Sequence, residues 1–288
     1  MSDVDQEFCQ SSEVNTDVGS LLENVYRCAD KSTWYSAVAS AYDRTRPRYP
    51  AQILATMQSK VGLQPGKSVL EIGAGSGIAT IDLAKLGARM VCLEPSKSAW
   101  AIAKEKCLAH PHVEMINSTF EDWDLPLQQF DVVVATTSFH WVDTEVRYIK
   151  TAQALKDNGF LVLLWNTPPQ LSYEAHQSLQ DVYRVYAPKL GKYEGHKEHQ
   201  QNIAKFPQQA IASGYFGDLT SHHEVIVVRY TVDDYLTLLS TLSPYIGLTS
   251  ESRQVLFAKL KTKLEQLSDR NSQLNLSYLS LLQILRRS

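Results

Sequence analysis

Val69-Leu70-Glu71-Ile72-Gly73-Ala74-Gly75-Ser76-Gly77 is the stretch whose reading decides the fold. Pro65-Gly66 marks a turn before it, and residues 68–72 then read as a short buried strand. Gly73, Gly75 and Gly77 follow at once. Glycines between a strand and a helix let the backbone bend sharply and come close to a ligand. A helix is expected over 77–86.

Outward from that loop the chain alternates. Strands are expected over 90–93, 113–116, 130–135 and 160–165, with helices over 50–60, 96–107 and 145–155, and a turn at Asp157-Asn158-Gly159. The strands are nearly continuous apolar runs, as strands covered on both faces must be. The alternation predicts an α/β fold: a doubly wound, Rossmann-like, mostly parallel seven-stranded sheet with a helical cap, whose ligands bind beyond the carboxyl ends of the strands. After Pro168-Pro169 the alternation stops. Residues 173–186 are expected to be helical and the polar stretch after them a surface excursion. A strand over 222–230 and helices over 232–242 and 250–267 follow, and the segment 274–285 is expected to pair with the 222–230 strand at one sheet edge.

Residues 1–20, rich in Ser, Asp, Glu and Gln, are expected to be a mobile tail. Residues 21–288 form one expected domain: N-terminal lid and helices over 21–60, a cofactor-binding core over 61–166, and cap helices with the last two strands over 167–288.

The loop's chemistry narrows its ligand. A dinucleotide site needs G-x-G-x-x-G, but position 78 is Ile and the third glycine, Gly77, comes one residue early. Glu71 beside the loop is an odd neighbour for pyrophosphate, whereas a carboxylate suits the cationic amino-acid end of S-adenosylmethionine (SAM), directly or through water. About twenty residues on, Glu94-Pro95-Ser96 ends the second strand where an acid accepts hydrogen bonds from both ribose hydroxyls. That acid alone does not separate SAM from NAD. Asn117 to Trp123 follows the third strand, where a backbone amide and Glu121 or Asp122 are placed to read an adenine edge and Phe120 to lie against its face. Phe120 as core and the acids as a helix cap is the competing account.

These residues carry a resemblance. Residues 34–165 resemble class I SAM-dependent methyltransferases: Val69–Gly77 is similar to their first motif, Leu93-Glu94-Pro95-Ser96 to the ribose motif, and Ser118 to Trp123 to the adenine segment. Asp131 to Thr136 and Leu155 to Phe160 resemble their fourth strand and the start of their fifth. The resemblance implies cofactor contacts from Glu71, Gly73, Ala74, Gly75, Gly77, Glu94, Pro95, Ser96, Phe120, Glu121 and Thr136, with S-adenosylhomocysteine (SAH) as product.

On the acceptor side, Thr136 to Asp143 lies where this fold places its substrate. His140 has the pKa range of a general base, and Phe139 and Trp141 are placed to wall a pocket. Anchoring of the next helix explains the same residues equally well. The segment resembles the S/A-F-H-W motif of a subgroup that includes trans-aconitate methyltransferase. The same subgroup has segments similar to Ala39–Pro50, implying that Tyr42 and Arg46 close over the cofactor, and to 230–242, implying a cap with Tyr235 over the substrate. A solvated basic strip is the competing account of the first, and an amphipathic helix packed on the sheet explains the second equally well.

Composition sets the outer limits. With 44% hydrophobic and 20% charged residues the chain is an ordinary globular protein. A formal net charge of −3 gives no global field for phosphate backbones, so a nucleic-acid partner is disfavoured. Cys9, Cys28, Cys92 and Cys107 show no C-x-x-C pair and read as reduced thiols. With no membrane-span pattern, the expected setting is cytoplasmic, without stable membrane insertion, as a monomer or homodimer. No metal is expected: His196 and His199 read as surface residues, and the adjacent His222 and His223 point to opposite faces of a strand. The sum is a SAM-dependent methyltransferase acting on an oxygen or nitrogen of a small molecule. Lipid C-methylation or cyclopropanation on the same core, and a non-catalytic SAM-binding protein, stay open.

Overall fold

A computed structural model describes residues 36–288. The expected tail, residues 21–35 of the expected lid, and Cys9 and Cys28 lie outside the described residues.

Seven strands form one sheet in the order β3-β2-β1-β4-β5-β7-β6. They are β1 (Ser68–Ile72), β2 (Arg89–Leu93), β3 (Val113–Ile116), β4 (Phe130–Thr136), β5 (Leu155–Asn166), β6 (Phe216–Thr231) and β7 (Gln273–Arg287). β1 to β5 are mutually parallel, and β7 runs antiparallel to both β5 and β6. The sequence order reverses across β1 and β4, and that switch point opens a crevice at the strand ends.

The continuous apolar runs follow from coverage on both faces. Leu70, Ile72, Val133, Ala135, Leu161 and Leu163 belong to one buried cluster, and Val69, Val132, Val134, Val162 and Leu164 to the other. Alternate residues point to opposite faces, so both series must be apolar. A third cluster builds the cap: Leu256, Leu260 and Leu264, one helical turn apart on Ser250–Leu267, pack with Tyr235 and Leu239 of Val232–Ser240 and with Leu274 and Leu276 of β7.

Several boundaries differ from expectation. β5 begins at Leu155, immediately after the Thr144–Ala154 helix, so the expected turn at Asp157 to Gly159 lies inside the strand. The irregularity that turn chemistry signalled is present there as positive φ at Asn158 and a register shift against β4 between Phe130 and Val132. Residues 173–186 form two helices, Tyr173–Gln177 and Gln180–Tyr186. The polar stretch that follows is no mere surface excursion: it holds the helices His196–Ile203 and Lys205–Ala212, whose inner sides pack toward the sheet. Among the described residues no helix is long and apolar enough to cross a membrane.

Candidate active site

The glycine loop is built as its composition requires. Gly73, Gly75 and Gly77 all have positive φ, +70°, +58° and +80°. A Cβ on Gly73 would stand 2.6 Å from Ser138 Cβ, and one on Gly77 would press on Ala103 at 3.2 Å. At Gly75 a Cβ meets nothing within 4 Å, because that side of the loop faces open space. Close packing therefore explains two of the glycines, and an unfilled cradle is left at the third.

Glu94 locks this loop to the end of β2. Its carboxylate accepts the Gly75 N–H at 2.8 Å and the Ser96 N–H at 2.7 Å. Burial pushes its pKa up to about 7, against those two hydrogen bonds, which pull it down. Asn117 at the end of β3 donates to the Glu94 and Pro95 carbonyls at 2.8 and 3.0 Å, holding the 118–122 segment beside the same crevice.

The N-terminal helix Ala39–Thr45 closes one side. Asp43 accepts the Ser76 hydroxyl at 2.9 Å and pairs with Lys106, whose ammonium also donates to the Ser76 carbonyl at 3.0 Å. Arg46 lies over the Tyr42 ring at 4.6 Å. Tyr49, whose pKa is raised by burial, shares a hydrogen bond of 2.9 Å with Thr137, a residue held at φ +55°.

Tyr42, Arg46, Tyr49, the loop from Gly73 to Ser76, Glu94, Asn117 and Thr137 line one cavity of about 1110 Å³. At one end are Gly73 to Ser76, Glu94, Pro95 and Ser118 to Asp122. At the other are Thr137, His140, Trp141, Trp165 and Asn166 from the ends of β4 and β5, with Glu194, His199 and Asn202 from the cap. The volume exceeds the range of about 300–1,000 Å³ usual for a single drug-sized ligand.

A family model described as a methyltransferase domain matches residues 69–159, the span from β1 into β5 that supplies most of this crevice. Residues 69–159 are a class I, SAM-dependent methyltransferase domain. Relatives agree in kind. An uncharacterized methyltransferase of Mycobacterium tuberculosis is 28% identical over 138 residues, covering 48% of this chain and 54% of that protein. One of Schizosaccharomyces pombe is 25% identical over 233 residues, covering 76% and 82%. The chain thus spans about half the length of the mycobacterial relative. In fold it is similar to the structure of a putative type II methyltransferase from Anaeromyxobacter dehalogenans, with a TM-score of 0.59 at 21% identity over 84% of this chain and 97% of that one.

Within the methyltransferase domain and its cap, the cavity gathers Tyr42, Arg46, Gly73, Ala74, Gly75, Glu94, Pro95, Phe120, Glu121, Thr136, His140 and Trp141 from the residues singled out in the sequence. It does not gather the others. Glu71 is fully buried behind the loop, where the hydroxyls of Thr80 and Thr136 donate to it at 2.7 and 3.2 Å and burial raises its pKa. Thr136, which lines the cavity, is the surface that Glu71 presents through its hydrogen bond. Gly77 serves the packing of its helix on Ala103. Ser96 is the N-cap of Lys97–Lys106, accepting the Ala99 N–H. Phe139 is core, set edge-on against Tyr148 and Phe206, because the short 3₁₀ turn Phe139–Trp141 turns His140 and Trp141 to the cavity and Phe139 away. Tyr235 is buried in the cap cluster, not over the cavity.

Two expected contacts have other duties as well. Glu121 accepts the Asp143 N–H at 2.7 Å, and Phe120 is buried in the core beneath the Lys150 ammonium. Sequence reasoning missed Tyr49, Asn166 and the Asp43–Lys106 pair, and named Asn117 only as the start of the adenine segment. It also set His199 on the surface, whereas His199 lines the cavity with Glu194. Among the described residues no group of three or more His, Cys, Asp or Glu is placed to hold a metal ion.

Proposed function

We propose that this chain transfers a methyl group from SAM to an oxygen or nitrogen of a small molecule. The observation that carries the reading is a single cavity joining the glycine cradle and Glu94 at one end to His140, Asn166, His199 and Asn202 at the other. A site of this size holds a cofactor and an acceptor together, as a direct transfer requires.

The residues present fit SAM. Gly75 leaves the space that a Cβ would take, and the buried Glu94 carboxylate has lone pairs for two ribose hydroxyls beyond the two backbone hydrogen bonds it already accepts. Ser118 to Asp122 flank the position for the base, and Arg46 and Tyr42 that for the amino-acid end. SAM supplies an electrophilic methyl group on a sulfonium. The protein's part is to align the acceptor and exclude water, which accounts for most of the catalysis such a displacement needs. His140, at the end of β4 with its ring 5.2 Å from that of Trp141, is the candidate base for an acceptor that must lose a proton.

The carboxylates in the lining, Glu94, Glu121, Asp122 and Glu194, repel a phosphodiester, which favours a free small molecule over nucleic acid as acceptor. We read the protein as a cytoplasmic monomer or homodimer.

Calorimetric titration with SAH and, in parallel, NAD tests the reading. Micromolar binding of SAH with none of NAD is expected. A folded protein that binds NAD in preference, or neither compound, overturns it.

A further inference from the structure

The cavity half over the ends of β4 and β5 has a composition that selects its ligand. The His140 ring lies 5.2 Å from the Trp141 ring and 5.7 Å from that of Trp165, tilted 40° and 34°, and Trp165 is stacked on Phe206 at 5.0 Å. The rings of His140, Trp141 and Trp165 thus form one aromatic wall, braced from behind. Such rings attract a flat π surface beyond the area they bury.

The charges in the lining disfavour an anionic acceptor. Among the described residues Arg46 is the single Lys or Arg in that lining, against the carboxyl groups of Glu94, Glu121, Asp122 and Glu194. Arg46 lies over Tyr42 and donates from one terminal nitrogen to the Thr241 carbonyl at 3.4 Å, and its buried, unpartnered Nε is left for the cofactor's amino-acid end in the reading above. On the cap side Glu194 Oε2 stands 3.8 Å from His199 Nδ1, and its Oε1 lies 3.4 Å from the ammonium of Lys192, a residue outside the lining. Burial lowers the His199 pKa against the opposing pull of Glu194, so near pH 7 the ring is neutral, with one nitrogen a donor and the other an acceptor. A carboxylate brought here meets Glu194, whose charge the largely exposed Lys192 outside the lining screens only in part, and like charges in a partly buried site repel.

Resting on the methyltransferase reading above, we propose that the acceptor is a flat, uncharged molecule bearing a hydroxyl or an aromatic amine. Its ring lies against His140, Trp141 and Trp165, and its polar group is met by the Glu194–His199 pair. This departs from the polycarboxylate acceptor that the name of trans-aconitate methyltransferase suggests.

2-Naphthol and 2-naphthoate present one ring system without and with a negative charge. Each is titrated calorimetrically into the full chain, with and without SAH. The expected result is that 2-naphthol binds at least about tenfold tighter than 2-naphthoate, and that Glu194→Gln narrows the gap to within about threefold. Trp141→Ala is expected to weaken 2-naphthol about fivefold or more, while Trp141→Phe retains most of its affinity. The proposal is overturned if 2-naphthoate binds as tightly as 2-naphthol, if neither binds, or if the gap survives Glu194→Gln. Absence of SAH binding overturns the methyltransferase reading instead, and the naphthol comparison in SAH-free protein still decides the class of ligand.

Discussion

The side chain of Glu94, at the end of β2, accepts the backbone N–H of Gly75 at 2.8 Å and so ties the ribose-side acid directly to the glycine loop. The pKa of this carboxyl is raised by burial from 4.5 to about 7. Between those two values the folded chain holds a proton that the unfolded chain has lost. The contribution of Glu94 to stability is therefore fully present below about pH 4.5 and is lost as pH rises through about 7. Ligand binding runs the opposite way, because the ionised carboxylate is the better acceptor for two hydroxyls. SAH affinity is expected to rise about tenfold between pH 6 and pH 8, with Glu94→Gln flattening the profile. Calorimetry across that range checks it, and a flat wild-type profile would remove Glu94 ionisation from binding.

Gly73→Ala and Gly75→Ala separate packing from ligand space. At Gly73 the new Cβ meets Ser138 at 2.6 Å with φ at +70°, so a loss of roughly 2–5 kcal/mol of stability is expected from strain and overpacking together. At Gly75 the cost is the strain alone, about 1–2 kcal/mol, while the methyl group enters the cradle and weakens SAH. Denaturant melts and SAH titrations of both variants are the measurement. Equal effects on stability and binding at the two sites would contradict the assignment.

Asp43 holds the N-terminal helix on the loop through Ser76 and Lys106. Lys106→Met removes a partly exposed ion pair and is expected to cost no more than about 1 kcal/mol of stability. SAH dissociation is expected to be faster, because the helix that covers the cradle loses its tether to it. Stopped-flow displacement of SAH reads this, and an unchanged off-rate would leave the helix without a gating role.

With an acceptor in hand, His140→Ala is expected to lower kcat by about 10² or more while changing SAH affinity little. An unchanged rate would make His140 part of the wall alone.

Local pattern made much of this legible. The runs at 68–72 and 113–116 match their strands residue for residue, because each is a short, mostly apolar run that stops where turn residues begin. The glycine loop and Glu94 were readable because the backbone geometry and the ligand both demand particular residue types at a fixed distance from strand ends. Phe139 was misplaced toward the pocket because adjacent aromatic residues carry no signal of which way a 3₁₀ turn will point them. Tyr235 was misplaced because an amphipathic helix fits a cap core and a pocket roof equally well. His199 was set aside because its neighbours are polar and its cavity partners lie far away along the chain.

The sequence alone thus determined the alternation that makes the sheet, the tight turn after β1 and the acid at the end of β2, all of them consequences of hydrophobic periodicity and of glycine's access to positive φ. Only the tertiary structure decided that Glu71 hides behind Thr136, that Asp43 meets Lys106 across the loop, and that Glu194 and His199 enter the wall opened by β4 and β5. Those contacts join residues distant in sequence, and a side chain's burial there depends on how the cap docks on the sheet rather than on any period in its own segment.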